Sequence, residues 1–190
     1  MDGESHRGLQ REALELEADA YRALLAGDDA AARDALRAAW DRYRASWDAA
    51  PPDAYGRLVG MVKAAVLAGE ATTAARFVRS AVGEAGTPTA AYALALAALV
   101  EGDDEVAARA AEAMRDGPEP FGRTADAVAA LAARDVSAYA RAVEAIVRDF
   151  EGRERYVTGV PIADTALVLE RLAAARRIAA RPRSALLPAG

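Results

Sequence analysis

The chain has no cysteine and no asparagine, and only one histidine (His6), one lysine (Lys63) and one glutamine (Gln10). Each scarcity removes a chemistry. Without cysteine there is no disulfide framework, thiolate nucleophile, zinc knuckle or iron–sulfur cluster. A lone histidine near the N-terminus cannot supply a Ser-His-Asp triad or a multi-histidine metal site in the folded body. Schiff-base or phosphate chemistry would rest on Lys63 alone. No apolar run reaches the roughly 18 residues of a spanning helix, and the richest, 90–100, is too short. The opening MDGESHRGLQ has neither an apolar core nor a cleavage signal, so no signal peptide is read there and a cytoplasmic location is expected. A formal charge of −5 argues against a general nucleic-acid binder, which needs a basic face. No P-loop or dinucleotide glycine fingerprint is present, and no cofactor, metal or catalytic residue is expected.

What is abundant is alanine, 53 of 190 residues and more than half of the apolar class. Ala is the best helix former, and the strand-favouring Val, Ile and Thr are sparse, so the bias is helical. The length favours one domain that can bury a core and fold alone. Apolar periodicity and its punctuation give nine helices, at about 8–26, 29–50, 53–67, 72–82, 89–100, 103–115, 121–133, 136–150 and 161–177. Pro161 falls in the first turn of the last one, where proline is tolerated. The expected layout is a flexible leader (1–7), one all-α domain (8–177) and an extended tail (178–190).

The breaks repeat. Leu24-Leu25-Ala26-Gly27-Asp28, Val66-Leu67-Ala68-Gly69-Glu70 and Leu99-Val100-Glu101-Gly102-Asp103 share one motif, and Leu131-Ala132-Ala133-Arg134-Asp135 is a degraded fourth copy. Their spacings of 42, 33 and 32 residues suit helical-pair repeats that stack because no hairpin covers its own apolar faces. Gly-Asp or Gly-Glu ahead of a small residue (Ala32, Ala74, Ala107) marks the turn of tetratricopeptide repeats. Over roughly residues 15–150 the chain resembles a degenerate member of that family, although the family's first-helix Trp and Tyr are absent. The resemblance implies stacked antiparallel hairpins in an α–α superhelix. It also implies a concave groove, lined by the first helix of each pair, that holds a peptide or protein.

Carried onto this chain, the groove face comprises Tyr21, Leu24 and Leu25, then Val59, Lys63, Val66 and Leu67, then Tyr92, Leu96, Leu99 and Val100. Such a surface is too apolar to be left in water. The last helix, with Ile162, Ala166, Leu167, Val168, Leu169 and Leu172, is apolar nearly all round and is expected to pack there. A reduced pocket near 151–160 would remain. That segment, Arg153-Glu154-Arg155-Tyr156 followed by Thr158-Gly159, is the one polar loop with mixed functional groups. Candidate partner-binding residues are therefore Tyr21, Lys63, Tyr92, Arg153, Arg155 and Tyr156.

Other clusters read as structural. Trp40, Tyr43 and Trp47 share a helix face and continue an apolar stripe, so both tryptophans are expected to be mostly buried. Glu12, Glu15 and Asp19 lie beside Arg11 and Arg22 as an exposed ion-paired face, lacking the histidine of helical di-metal sites. Asp103, Asp104 and Glu105 suit a helix N-terminus. Arg176, Arg177, Arg181 and Arg183 suit a helix C-terminus or an acidic partner. The functional expectation is a non-catalytic interaction module for a protein or peptide, with a homodimer possible. One alternative is a bacterial immunity-type protein neutralising a cognate toxin, suggested by the helix and Arg/Pro tail of 159–188. Another is a small-ligand binder or enzyme using Asp, Glu, Arg and Tyr.

Overall fold

Four interhelical turns are built alike, and they set the architecture. Gly27, Gly69 and Gly102 adopt φ of 77°, 81° and 78°, and Arg134 takes the same left-handed conformation at 54°. The next residue's N–H closes the preceding helix: Asp28 donates to Ala23 O (2.9 Å), Glu70 to Ala65 O (3.0 Å), Asp103 to Ala98 O (2.9 Å) and Asp135 to Ala130 O (3.0 Å). In three of the four turns the same residue opens the following helix. The carboxylates of Asp28, Asp103 and Asp135 accept the N–H groups of Ala31, Val106 and Ala138. One short side chain thus ends one helix and starts another, which folds the chain back on itself.

The computed structural model describes residues 5–189. Among them it has nine helices and no strand: α1 (His6–Leu25), α2 (Asp29–Asp48), α3 (Gly56–Ala68), α4 (Ala71–Val82), α5 (Pro88–Glu101), α6 (Asp104–Met114), α7 (Glu119–Ala133), α8 (Val136–Glu151) and α9 (Asp164–Ala175). The first eight form a stack of antiparallel hairpins, with α3 beside α5 and α5 beside α7 along one face. Central α5 is apolar on every side. Its Ala90, Ala91, Ala93, Ala95, Ala97 and Ala98 are fully buried, and their small side chains let the neighbouring helices approach closely. Gly60 serves the same end in α3, where an added Cβ would lie 2.5 Å from the Tyr43 ring.

The ninth helix departs from the hairpin pattern. It packs on α3, α7 and α8, across the face formed by the first helices. With 12 residues it is too short to be stable in water by itself, so packing holds it helical. Ile162, Val168, Leu169 and Leu172 are buried, each worth about 1.5–3 kcal/mol. Both ends are tied by charge: Asp164 pairs with Lys63 of α3, and Arg176 donates to Asp104 (3.0 Å). The tail then returns along α9. Glu170 accepts from Tyr139 Oη (2.7 Å) and from the N–H groups of Ala180 (3.1 Å) and Arg181 (2.7 Å).

Several expectations need correction. The first helix begins at His6, not Gly8, because Ser5 Oγ caps it by accepting from Gly8 N. His6 and Arg7 are therefore helical and not part of a leader, while the leader's residues 1–4 lie outside the described residues. The third helix starts at Gly56 and not Asp53, which sits at φ 67° in the loop. Pro161 precedes α9 instead of entering it, since Ala163 N–H bonds Leu186 O (2.9 Å) in the returning tail. Trp40 and Trp47 are only half-buried. The inner stripe of α2 is Ala32, Leu36, Ala39, Tyr43 and Ser46, and each tryptophan stands one position off it, on its shoulder.

Arg134 is the one non-glycine residue at the left-handed position of the four shared turns. A left-handed conformation costs a side-chain-bearing residue about 1–2 kcal/mol, and its exposed contact with Asp104 (3.6 Å) offsets little. Arg134→Gly is expected to raise stability by about 1 kcal/mol, read from a urea midpoint. A lowered midpoint would contradict this account of the turn.

Candidate functional site

Where α1, α2, α3 and α5 face the start of α9, a polar cluster is buried inside the apolar stack. Glu17 is at its centre, 5 % exposed. Its Oε1 accepts from Tyr21 Oη and its Oε2 from Tyr43 Oη, both at 2.9 Å. The Tyr21 bond follows from helical spacing, residues four apart on one face of α1. The Tyr43 bond needs the bare backbone of Gly60, against which that ring lies. Burial raises the Glu17 pKa. Lys63 and the two phenolic hydrogen bonds oppose the rise, while Asp164 adds to it. Burial and the adjacent Glu17 also push the Tyr21 and Tyr43 phenols well above their ordinary range, so both stay protonated donors.

Lys63 is buried and pairs with Asp164. Burial opposes its charge, but Asp164, Tyr92 and Glu17 together raise its pKa above the ordinary lysine value. Tyr92, 8 % exposed, packs edge-on against Phe121 at 6.1 Å between ring centroids. Burial raises its pKa, while Lys63 and the nearby Thr165 hydroxyl act against the rise. Its own hydroxyl makes no hydrogen bond of acceptable geometry. Buried hydroxyls are normally paired, so this atom stands out. Arg79 Nη1 and Arg176 Nε are likewise unpartnered, but both guanidiniums already form ion pairs through other nitrogens.

These groups form the floor of a cavity of about 320 Å³. Aromatic rings of Tyr21, Tyr43, Tyr92, Phe121, Phe150 and Tyr156 supply much of the wall. The α8–α9 loop roofs it with Arg153, Tyr156, Val157, Thr158 and Val160. Arg153 lies over the Phe150 ring (3.6 Å to its centroid) and donates to Asp149 through Nε (3.0 Å) and Nη2 (2.5 Å). Tyr156 Oη donates to Phe150 O (2.9 Å), which holds the loop down. Val157, 84 % exposed, leaves an apolar side chain in water at the rim.

Of the six residues singled out by sequence, Tyr21, Lys63, Tyr92, Arg153 and Tyr156 line this one cavity. Arg155 is exposed and does not. Sequence reasoning missed Glu17, Tyr43 and Asp164. Glu17 left a trace, a charge inside the stripe Leu9, Ala13, Ala20, Leu24. Asp164 left none, since an acid in a helix's first turn reads as a dipole complement. Glu12, Glu15 and Asp19 sit outside, paired with Arg42, Arg11 and Arg22. Among the described residues no group of His, Asp or Glu is arranged to hold a metal ion, and no helix is long and apolar enough to cross a membrane. Compared with models of protein families, with curated proteins and with solved structures, the chain matches none.

Two outcomes follow. Lys63→Met leaves the partly buried Asp164 without its cation and is expected to cost about 1–3 kcal/mol, most of it recovered when Asp164→Leu is added. Equal losses in the single and double variants would contradict the pairing. Glu17, with its native pKa raised above 4.5, binds more protons folded than unfolded across that interval. Stability must then fall as pH rises through it. In urea titrations, Glu17→Gln is expected to gain on the wild type between acid and neutral pH. Parallel pH profiles would show that the carboxyl is not strained by burial.

Proposed function

We propose that the chain is a small-molecule-binding helical scaffold, with the ligand's polar end on the floor of Glu17, Lys63, Tyr92 and Asp164. Its body would lie between the aromatic walls. The observation that carries this reading is the polar floor of Glu17, Lys63, Tyr92 and Asp164 set into an otherwise largely apolar and aromatic cavity of about 320 Å³. The cavity also has the general make-up of a ligand site, mostly apolar walls with a few convergent polar groups.

The repeat-like hairpins would serve as the rigid frame, and α9 as the part that turns an open groove into a pocket. Peptide binding in the groove, which the tetratricopeptide resemblance implies, would require α9 to leave. That would uncover Ile162, Val168, Leu169 and Leu172 and strand Lys63 without its partner. Geometry therefore favours a small ligand over a peptide on this face. The absence of histidine and cysteine from the cavity lining leaves binding as its simplest task.

A fragment library of mixed charge, screened by thermal shift, tests the reading. Hits are expected to raise the wild-type Tm and to lose their effect on Val59→Trp, in which an indole on the cavity lining takes up ligand space. Hits that stabilise both proteins equally, or no hits at all, would overturn it.

A further inference from the structure

We infer that the ligand of this cavity is an organic ammonium ion with an aromatic or branched apolar body, its charge held by the Glu17 carboxylate. The inference rests on the small-molecule reading above and adds the sign of the charge.

Four ionisable groups other than tyrosines line the cavity: Glu17, Lys63, Arg153 and Asp164. Arg153 is neutralised by Asp149. That carboxylate also receives Arg123 (2.5 Å), itself paired with Glu119. Lys63 is neutralised by Asp164. Glu17 alone has only neutral partners, the hydroxyls of Tyr21 and Tyr43. With Glu17 ionised, the trio of Glu17, Lys63 and Asp164 carries one net negative charge. A buried charge without a counter-ion is costly, and the site can shed that cost by taking up a proton or a cation.

The hydrogen-bond inventory points the same way. The Tyr21 and Tyr43 protons are already engaged on Glu17, so the carboxylate's remaining lone pairs are acceptors. An ammonium brings donors and a positive charge. The rings of Tyr21, Tyr43, Tyr92 and Phe121 line the cavity, and aromatic rings attract cations. An anion would have to compete with Asp164 for Lys63 and with Asp149 for Arg153. It would also face Glu17.

Three compounds with one body and different heads separate the possibilities in calorimetry on the full chain: phenethylamine, 2-phenylethanol and 3-phenylpropionate. The amine is expected to bind about tenfold or more tighter than the alcohol, the scale of one charge-assisted hydrogen bond. Glu17→Gln should bring the amine down to the level of the alcohol and leave the alcohol unchanged. At mildly acidic pH, titrations in buffers of different ionisation enthalpy should show proton release from wild type and none from Glu17→Gln. Lys63, Asp164, Tyr21 and Tyr43 are the other titratable groups facing Glu17, and the variant isolates its proton from theirs. If the carboxylate binds best, or amine and alcohol bind alike, the cation is wrong and the pocket reading stands. If none of the three binds, both readings fall.

Discussion

The Lys63–Asp164 pair is the contact on which the rest depends. It joins the only lysine of the chain, on the groove-facing side of α3, to the first residue of α9. A buried ion pair is costly to form and more costly to break, because loss of one partner leaves a bare charge in a low-dielectric interior. It therefore specifies position more than it adds stability. Apolar burial would hold α9 somewhere on the face of α3, α5 and α7. The pair fixes which end goes where, and Arg176–Asp104 fixes the other end. Once α9 is seated, the groove no longer exists as a groove, and what remains of it is the cavity.

Much of this arrangement is legible in the sequence. The turns are, because aspartate does two jobs at three of the four. Asp28, Asp103 and Asp135 close one helix with their N–H and open the next with their carboxylate, and the preceding left-handed position favours glycine. Even the degraded fourth turn keeps the bond, with Arg134 accepting the strain. The coverage of the groove by the last helix is legible as well, since an apolar surface and an apolar helix in one chain need each other. Helix starts are less so. Pro161 suits a first turn, yet Ala163 N–H is taken by Leu186 in the returning tail, a long-range contact with no local signature.

The candidate site was half-visible for a physical reason. Loop and groove residues such as Arg153, Tyr156, Tyr92 and Lys63 stand out by chemistry or by position. Glu17 and Tyr43 do not, because they sit within stripes that read as core. Tyr43 is core by burial, and its hydroxyl reaches a functional-looking floor only because Gly60 yields space for the ring. The tryptophans show the reverse error. A spacing of three and four puts Trp40, Tyr43 and Trp47 on one face, but that face is wider than the buried stripe.

The central claim is that α9 belongs to the folded core and closes the groove. Hydrogen–deuterium exchange of the native chain, followed by mass spectrometry, tests it most directly. If α9 is seated as described, the amides of 167–175 exchange as slowly as those of α3 and α5, through global unfolding. Fast exchange in α9, with α3 and α5 still protected, would mean that the groove stands open in solution and would contradict the account.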